Sequence, residues 1–292
     1  MNKISFYLMG QKGYEVLKYM TTHHRESLDI VIASEDKSIQ KDFYEDMKSL
    51  CIKEGIPFFN RREKYTIKTD YAFAVAWRWL LYLEDVELII FHDSLLPKYR
   101  GFNPLVSCLL NKESEIGVSA LFASENFDCG GIVGQVSVSV KYPVTLQEAI
   151  DQVCACYVSL VKDIVDKILR GEKILGQPQN EEEVTYSLWR DKEDYRIDWS
   201  KDSDYIGRFV DALGFPYNGA SSLMNGRLVR VLGVEQLPDV KIENRDIGKV
   251  IFKQDGKPVV VCGKGLIKIH HLVENDTKES ILPLRRFRTR FK

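Results

Sequence analysis

The chain has 292 residues, 45% hydrophobic and 28% charged, enough for one large folded domain and a smaller companion. Lysine and arginine number 41 against 42 aspartates and glutamates, a net charge of −1 that argues against a nucleic-acid partner. No apolar run approaches the roughly eighteen residues a membrane helix needs, so no membrane partner is expected.

The first ten residues carry one lysine and a short apolar run, which reads as a first strand rather than a signal peptide. Helical spacing follows in Tyr14, Val16, Leu17 and Met20. A second strand is expected over residues 28–33. A second helix carries Phe43, Met47, Leu50 and Cys51 on one face, with Gly55 placed to end it. Residues 71–76 and 88–91 read as further strands. Near-continuous apolar strands separated by helices predict a mostly parallel sheet covered on both faces, a Rossmann-like α/β domain. Ligands of such sheets lie beyond the carboxyl ends of the strands. The segments after residues 76 and 91 should therefore open on one crevice.

Pro104 suits the first turn of the next helix. Residues 117–122 and 135–140 predict two strands around a loop that holds Asp128. Thr145-Leu-Gln-Glu148 has the capping-box pattern and opens a long helix to Arg170, stopped by Gly171. Residues 172–184 are polar, with Glu181-Glu-Glu183, and read as a linker. The Rossmann-like domain is therefore placed at 1–184 and a connecting segment and helix at 185–214. Ile206, Phe209, Val210 and Leu213 lie on one face of that helix. A small all-β, barrel-like domain is placed at 215–292, with a hairpin at Asn225-Gly226. The basic tail, Arg285 to Lys292, reads as a solvated face.

Six cysteines occur with no Cys-x-x-Cys pair, which predicts reduced thiols in a cytoplasmic protein and no zinc site. Cys129 follows Asp128 directly but has no evident basic neighbour to activate it.

Two stretches carry chemistry: Phe91-His-Asp-Ser-Leu-Leu-Pro-Lys-Tyr-Arg-Gly101 and Asn126-Phe-Asp-Cys-Gly-Gly-Ile132. His92 ends a strand, and Asp128 lies thirty-six residues later on a separate loop. Such a pair suits proton transfer at a carbonyl-like centre. The His-x-Ser-Leu-Leu-Pro-x-Tyr-Arg-Gly run, the later Asp-x-Gly, Arg196-Ile-Asp-Trp199 and Pro216-x-x-Gly-Ala220 together resemble the 10-formyltetrahydrofolate-dependent formyltransferases. The resemblance covers most of the chain and is weakest over residues 235–292.

The resemblance implies His92 as general base, with Asp128 orienting and stabilising it. It implies a pterin site formed by Trp77, Arg78, Trp79, Leu80, Leu81, Phe127 and Asp128. It further implies an acceptor pocket shaped by Tyr99, Arg100, Gly101, Phe102, Asn103, Tyr217 and Asn218. Asp93, adjacent to His92, is the rival carboxylate and is expected to point elsewhere. One departure stands out. The family has Asn two residues before the histidine, whereas this chain has Ile90, which cannot donate a hydrogen bond. Asn103, a backbone N–H or a water are the candidate oxyanion donors.

The implied co-substrate is N10-formyltetrahydrofolate, leaving as tetrahydrofolate, with no metal. The Ser187-Leu-Trp-Arg-Asp-x-x-Asp-Tyr195 segment looks like sugar N-formyltransferases. That implies a nucleotide-linked amino sugar (dTDP-, UDP- or GDP-) as the acceptor and allows a homodimer. Methionyl-tRNA formyltransferase is the alternative. A non-catalytic folate or nucleotide-sugar binder is the alternative of a different class.

Overall fold

The computed structural model describes residues 3–292. Two compact units are present. The first gathers the chain to Cys108 with Glu113–Val140 and Glu148–Trp189; the second holds Leu109–Lys112, Lys141–Gln147 and Arg190–Lys292. The main break thus falls after Trp189, and the polar stretch expected as a linker belongs to the first unit.

In chain order the first unit contains β1 (Ile4–Leu8), α1 (Gly10–His23), β2 (Leu28–Ala33), α2 (Tyr44–Lys53), β3 (Phe58–Asn60), β4 (Tyr71–Val75), β5 (Glu87–His92) and the two-residue β6 (Arg100–Gly101). After α3 (Pro104–Leu110, its last two residues counted with the second unit) come β7 (Glu115–Phe122), β8 (Ile132–Ser139), α4 (Leu146–Leu169, its first two residues counted with the second unit) and the short β9 (Tyr186–Ser187). The sheet order is β3-β2-β1-β4-β5-β7-β8. The first five strands are parallel, while β7 runs antiparallel to both β5 and β8. Residues 123–131 are therefore a hairpin loop that delivers Asp128 beside the end of β5.

Alternation along the strands separates two faces. Ile32, Tyr7, Ala74 and Ile90 form one lateral row in register across β2, β1, β4 and β5. Tyr7, Ile32 and Ala74 belong to a buried cluster covered by Phe59, Tyr65, Trp77, Leu81 and Ile90. The opposite face carries an aromatic line, Phe6 to Phe73 at 5.3 Å and Phe73 to Phe91 at 5.4 Å. That line reaches Tyr157 of α4, 6.1 Å from Phe91.

The second unit contains α5 (Ser203–Ala212), β10 (Ala220–Met224), β11 (Arg227–Leu237), β12 (Val250–Gln254), β13 (Lys257–Val261) and β14 (Leu266–Glu274). Asp202 caps α5, accepting from the Tyr205 amide at 2.7 Å. Ile206, Phe209 and Val210 are buried, as their spacing predicts. The antiparallel sheet runs β10-β11-β14-β13-β12. Asn225 and Gly226 both have positive φ, 49° and 87°, as a tight hairpin turn requires.

The tail corrects one expectation. Arg285 to Arg288 are exposed, but the residues after them are built into the sheet. Leu223 and Lys292 exchange two backbone hydrogen bonds, while Val250 N–H donates to Thr289 O at 3.1 Å and Phe291 N–H donates to Gly248 O at 2.7 Å. The tail thus bridges the β10 edge and the β12 edge. Phe291 is 1% exposed and packs 5.5 Å from Trp199. Phe291→Ala is expected to cost about 3–5 kcal/mol in urea unfolding. A loss under about 1 kcal/mol, at the level of an ordinary surface change, would show that the tail is dispensable.

Candidate active site

His92 is the last residue of β5 and shares its sheet face with Ile90. It is 8% exposed. Its Nε2 donates to the Tyr99 carbonyl at 2.8 Å, and its Nδ1 lies 3.5 Å from Asp128 Oδ1. A carbonyl only accepts, so Nε2 carries the proton in the neutral ring and the Nδ1 lone pair faces the carboxylate. A proton gained at Nδ1 points at Asp128, which stabilises the resulting cation. The other Asp128 oxygen, Oδ2, accepts from the Gly101 amide at 2.8 Å. The two loops named by the sequence therefore meet through one carboxylate.

The backbone here is unusual. Tyr99, Asn103 and Asp128 have φ of 62°, 49° and 55°, and Gly101 has 104°. Left-handed residues concentrated in one place store strain and mark functional sites. Gly101 has a further constraint, because a Cβ there would sit 2.6 Å from the Ser187 carbonyl oxygen.

A strap of residues 177–187 locks both loops. Gln177 and Ile132 exchange backbone hydrogen bonds of 2.7 and 2.8 Å. The Arg100 amide donates to Thr185 O at 2.9 Å, the Tyr99 amide to Thr185 Oγ1 at 2.9 Å, and the Phe102 amide to Ser187 O at 3.0 Å. Gln179 Nε2 donates to the carbonyls of Asp128 and Gly130 at 2.7 and 2.8 Å.

Arg100, expected to shape the acceptor pocket, is turned inward. Its side chain is 2% exposed and makes a two-pronged pair with Glu181, at 2.7 and 3.2 Å. That pair and hydrogen bonding raise its pKa further above the ordinary arginine value, against the opposing effect of burial. Tyr99 is also engaged, its hydroxyl donating to Glu113 Oε1 at 2.5 Å. Phe102 and Phe127 remain exposed, their rings 6.2 Å apart. Asn103 sits just before α3, its carbonyl accepting from the Ser107 amide at 3.2 Å.

The segment after β4 covers the Tyr7–Ala74–Ile90 row. Trp77 packs 5.2 Å from Tyr7 and 5.1 Å from Trp79, and Leu81 joins the same cluster. The Trp77 Nε1 is buried without a hydrogen-bond partner. Trp79 lies under the Arg61 guanidinium, 4.0 Å from its ring centre, Arg78 pairs with Asp36, and Leu80 is exposed. Tyr217 and Asn218 lie in the second unit, where Tyr217 packs edge-on to Tyr195 at 6.0 Å.

Asp93 faces the opposite side of the sheet and pairs with Lys12 of α1 and Tyr157 of α4. Burial pushes its carboxyl up, but the Lys12 ammonium and the hydrogen bonds from Lys12 and Tyr157 outweigh it and hold it below the usual range. It is unavailable to His92. Burial lifts the thiols of Cys51, Cys108, Cys154 and Cys262 to about 12, which leaves them unreactive. Among the described residues no group of three His, Cys, Asp or Glu could hold a metal ion. Nor is any helix there long and apolar enough to cross a membrane.

Sequence reasoning missed Gln179, Thr185, Ser187, Lys12 and Tyr157. The one available signal was the acidic run at Glu181, a partner for the arginine of the motif.

The family model described as formyl transferase matches residues 76–156, and the formyl transferase C-terminal domain matches residues 190–283. The chain belongs to the formyl transferase family. Within it, the chain is 27% identical over 200 residues to methionyl-tRNA formyltransferase of Fusobacterium nucleatum, covering 67% of this chain and 64% of that protein. It spans 45 to 64% of the first three curated relatives that it matches. Among solved structures, the N-formyltransferase from Helicobacter canadensis, in complex with folinic acid and dTDP-3-aminofucose, matches 92% of this chain and 99% of its own, with TM-score 0.67 and 17% identity. A HypX variant from Aquifex aeolicus matches 96% of this chain and 45% of its own, with TM-score 0.63 and 20% identity. These structures share the fold of the chain.

Proposed function

We propose that the chain transfers a formyl group from N10-formyltetrahydrofolate to the primary amine of a nucleotide-linked amino sugar. The observation that carries this is the His92–Asp128 pair, set at a strand end beside a loop of left-handed backbone.

The site suits a flat, partly polar donor. Half-buried Trp77 and Leu81 with exposed Trp79 and Leu80 offer an apolar wall. The bound donor supplies an electrophilic formyl carbon. The amine must arrive neutral, because a protonated nitrogen has no lone pair to give. The proton lost from that nitrogen reaches His92 Nδ1 by way of the Asp128 carboxylate that Nδ1 faces, and Asp128 then holds the cation that results. The new carbon–nitrogen bond replaces the one to N10, and His92 returns the proton to the departing nitrogen. Negative charge gathers on the formyl oxygen meanwhile. Ile90 cannot meet it, and the Asn103 side chain is the proposed donor.

Two observations support a sugar acceptor. The Helicobacter canadensis N-formyltransferase matches 92% of this chain with TM-score 0.67, against 80% and 0.56 for methionyl-tRNA formyltransferase from Clostridium thermocellum. Its net charge of −1 also lacks the excess an RNA ligand would favour. Methionyl-tRNA is the second reading, favoured by the curated relatives.

Incubation with dTDP-, UDP- and GDP-linked amino sugars and the formyl donor, read by mass spectrometry, tests the proposal. A formamide product only when the donor is present is expected. Formylation of methionyl-tRNA alone would overturn the sugar reading. Folate binding without turnover on either acceptor would leave a binding protein.

A further inference from the structure

The amide of Gln179 joins the two loops of the candidate site at a single point. Its Oε1 accepts from Arg100 Nε and Nη2 at 3.1 and 2.8 Å. Its Nε2 donates to the backbone carbonyls of Asp128 and Gly130 at 2.7 and 2.8 Å. Two donors and two acceptors are thereby satisfied around one side chain. The carbonyl end reads the loop that carries Gly101, and the amino end reads the loop that carries Asp128.

This placement matters because Asp128 is strained. Its φ of 55° puts a non-glycine residue in the left-handed region. Such conformations persist when their surroundings over-determine them. The Asp128 side chain is fixed by the Gly101 amide. Its peptide carbonyl is fixed by Gln179, and Gly130 allows the close turn that follows, since a Cβ there would fall 1.8 Å from Phe122 O. Arg100 in turn orients the Gln179 carbonyl, and Glu181 closes the outer side of the guanidinium.

We propose that Gln179 is a positioning residue for the reaction, holding Asp128 in the one backbone conformation that sets its carboxylate against His92 Nδ1. The inference rests on the formyl-transfer reading for its kinetic arm alone. Gln179 touches no reacting atom. Its contribution reaches the chemistry through the distance and angle of the His92–Asp128 contact, and a shift of about 1 Å at such a contact can cost on the order of a hundredfold in rate.

Gln179→Glu is the discriminating substitution. It keeps shape and the acceptor facing Arg100 but cannot donate to either carbonyl. In the full chain it should lower kcat by roughly ten- to a hundredfold with little change in acceptor KM. Long-range proton–nitrogen NMR of the His92 side chain should move to the pattern of Asp128→Asn, reporting loss of the Nδ1 contact. Glu181→Gln is the companion variant. It weakens the outer ion pair but leaves the Gln179 amide in place, and should keep near-normal kcat and the wild-type imidazole spectrum.

Unchanged kcat and spectrum in Gln179→Glu would overturn the proposal. Equal losses in both variants would overturn it as well, because the strap would then be acting only as a general brace. If the wild-type chain transfers no formyl group, the proposed function fails by itself. The imidazole spectra of the folded variants then still decide the positioning role. If Gln179→Glu does not fold, Gln179→Ala, which adds no charge, is read by the same spectra with the same two outcomes.

Discussion

His92→Asn is expected to reduce turnover by roughly a hundred- to ten-thousand-fold, the usual contribution of a general base. Donor binding should change far less. Asparagine ends at the place of Nδ1 and cannot replace the Nε2 hydrogen bond, but the Tyr99 carbonyl keeps the Ser187 hydroxyl, 3.4 Å away, as a donor. What disappears is a nitrogen able to gain a proton opposite Asp128. The signature is therefore a fall in kcat with a nearly constant dissociation constant for a folate ligand, measured by calorimetry and single-turnover assays. Near-normal turnover in a folded His92→Asn protein would remove His92 from the chemistry. Asp128→Asn should fall in the same direction. Its losses should not add to those of His92→Asn, because the two side chains act as one unit.

Lys12→Met should destabilise the chain by about 3–5 kcal/mol, the penalty for leaving a buried charge without its partner. Methionine keeps much of the length of the stem but not its ammonium. Burial, the largest effect on Asp93, would then lose its main opponent, and the Tyr157 hydrogen bond would remain against it. The direction with pH follows from the same pair. The native Asp93 carboxyl is held below its unfolded value, so its stabilising contribution is full above the unfolded range, near pH 4, and is lost as pH falls through the native value. In the variant, burial acts the other way and the acid takes up its proton at higher pH. The gap between wild type and variant should thus be widest near pH 7 and narrow towards about pH 4 in urea unfolding. A gap that stays constant over that range would mean that lost packing by the lysine stem, rather than charge, sets the cost.

Local patterns revealed the framework. The apolar runs read at residues 4–9, 28–33, 71–76 and 88–91 became the parallel neighbours β1, β2, β4 and β5. The turn at Asn225-Gly226 and the start of α4 beside its capping-box pattern were legible for the same reason, since each depends on residues within one turn. Pairings across the chain were not. β3 has three residues, and β6 and β9 have two each, too few to show a period. Gln179 carries no local signal at all: its role exists only where residues 100, 128 and 179 come together. The tail was misread because its arginines dominate the composition, while Phe291 and the backbone around it make the structural contacts. His92 and Asp128 were legible because their motif is long, and Asp93 was set aside correctly because alternation puts it on the other face of the sheet. Arg100 shows the limit of that reasoning, since a motif names a residue without saying which way it turns.

The stave formed by residues 289–292 has a consequence for how the second unit is made. Both outer strands of its sheet expose unpaired backbone groups until that stave docks, and such edges invite pairing with other chains. All five strands precede the stave in the sequence, so a growing polypeptide passes through a stage with two open, adhesive borders. Any sequence that continues beyond Lys292 should therefore leave residues 289–292 free to dock. A tag that pulls on Phe291 would reopen both borders at once, and the first symptom would be precipitation during expression, ahead of any loss in the His92 chemistry of the other unit.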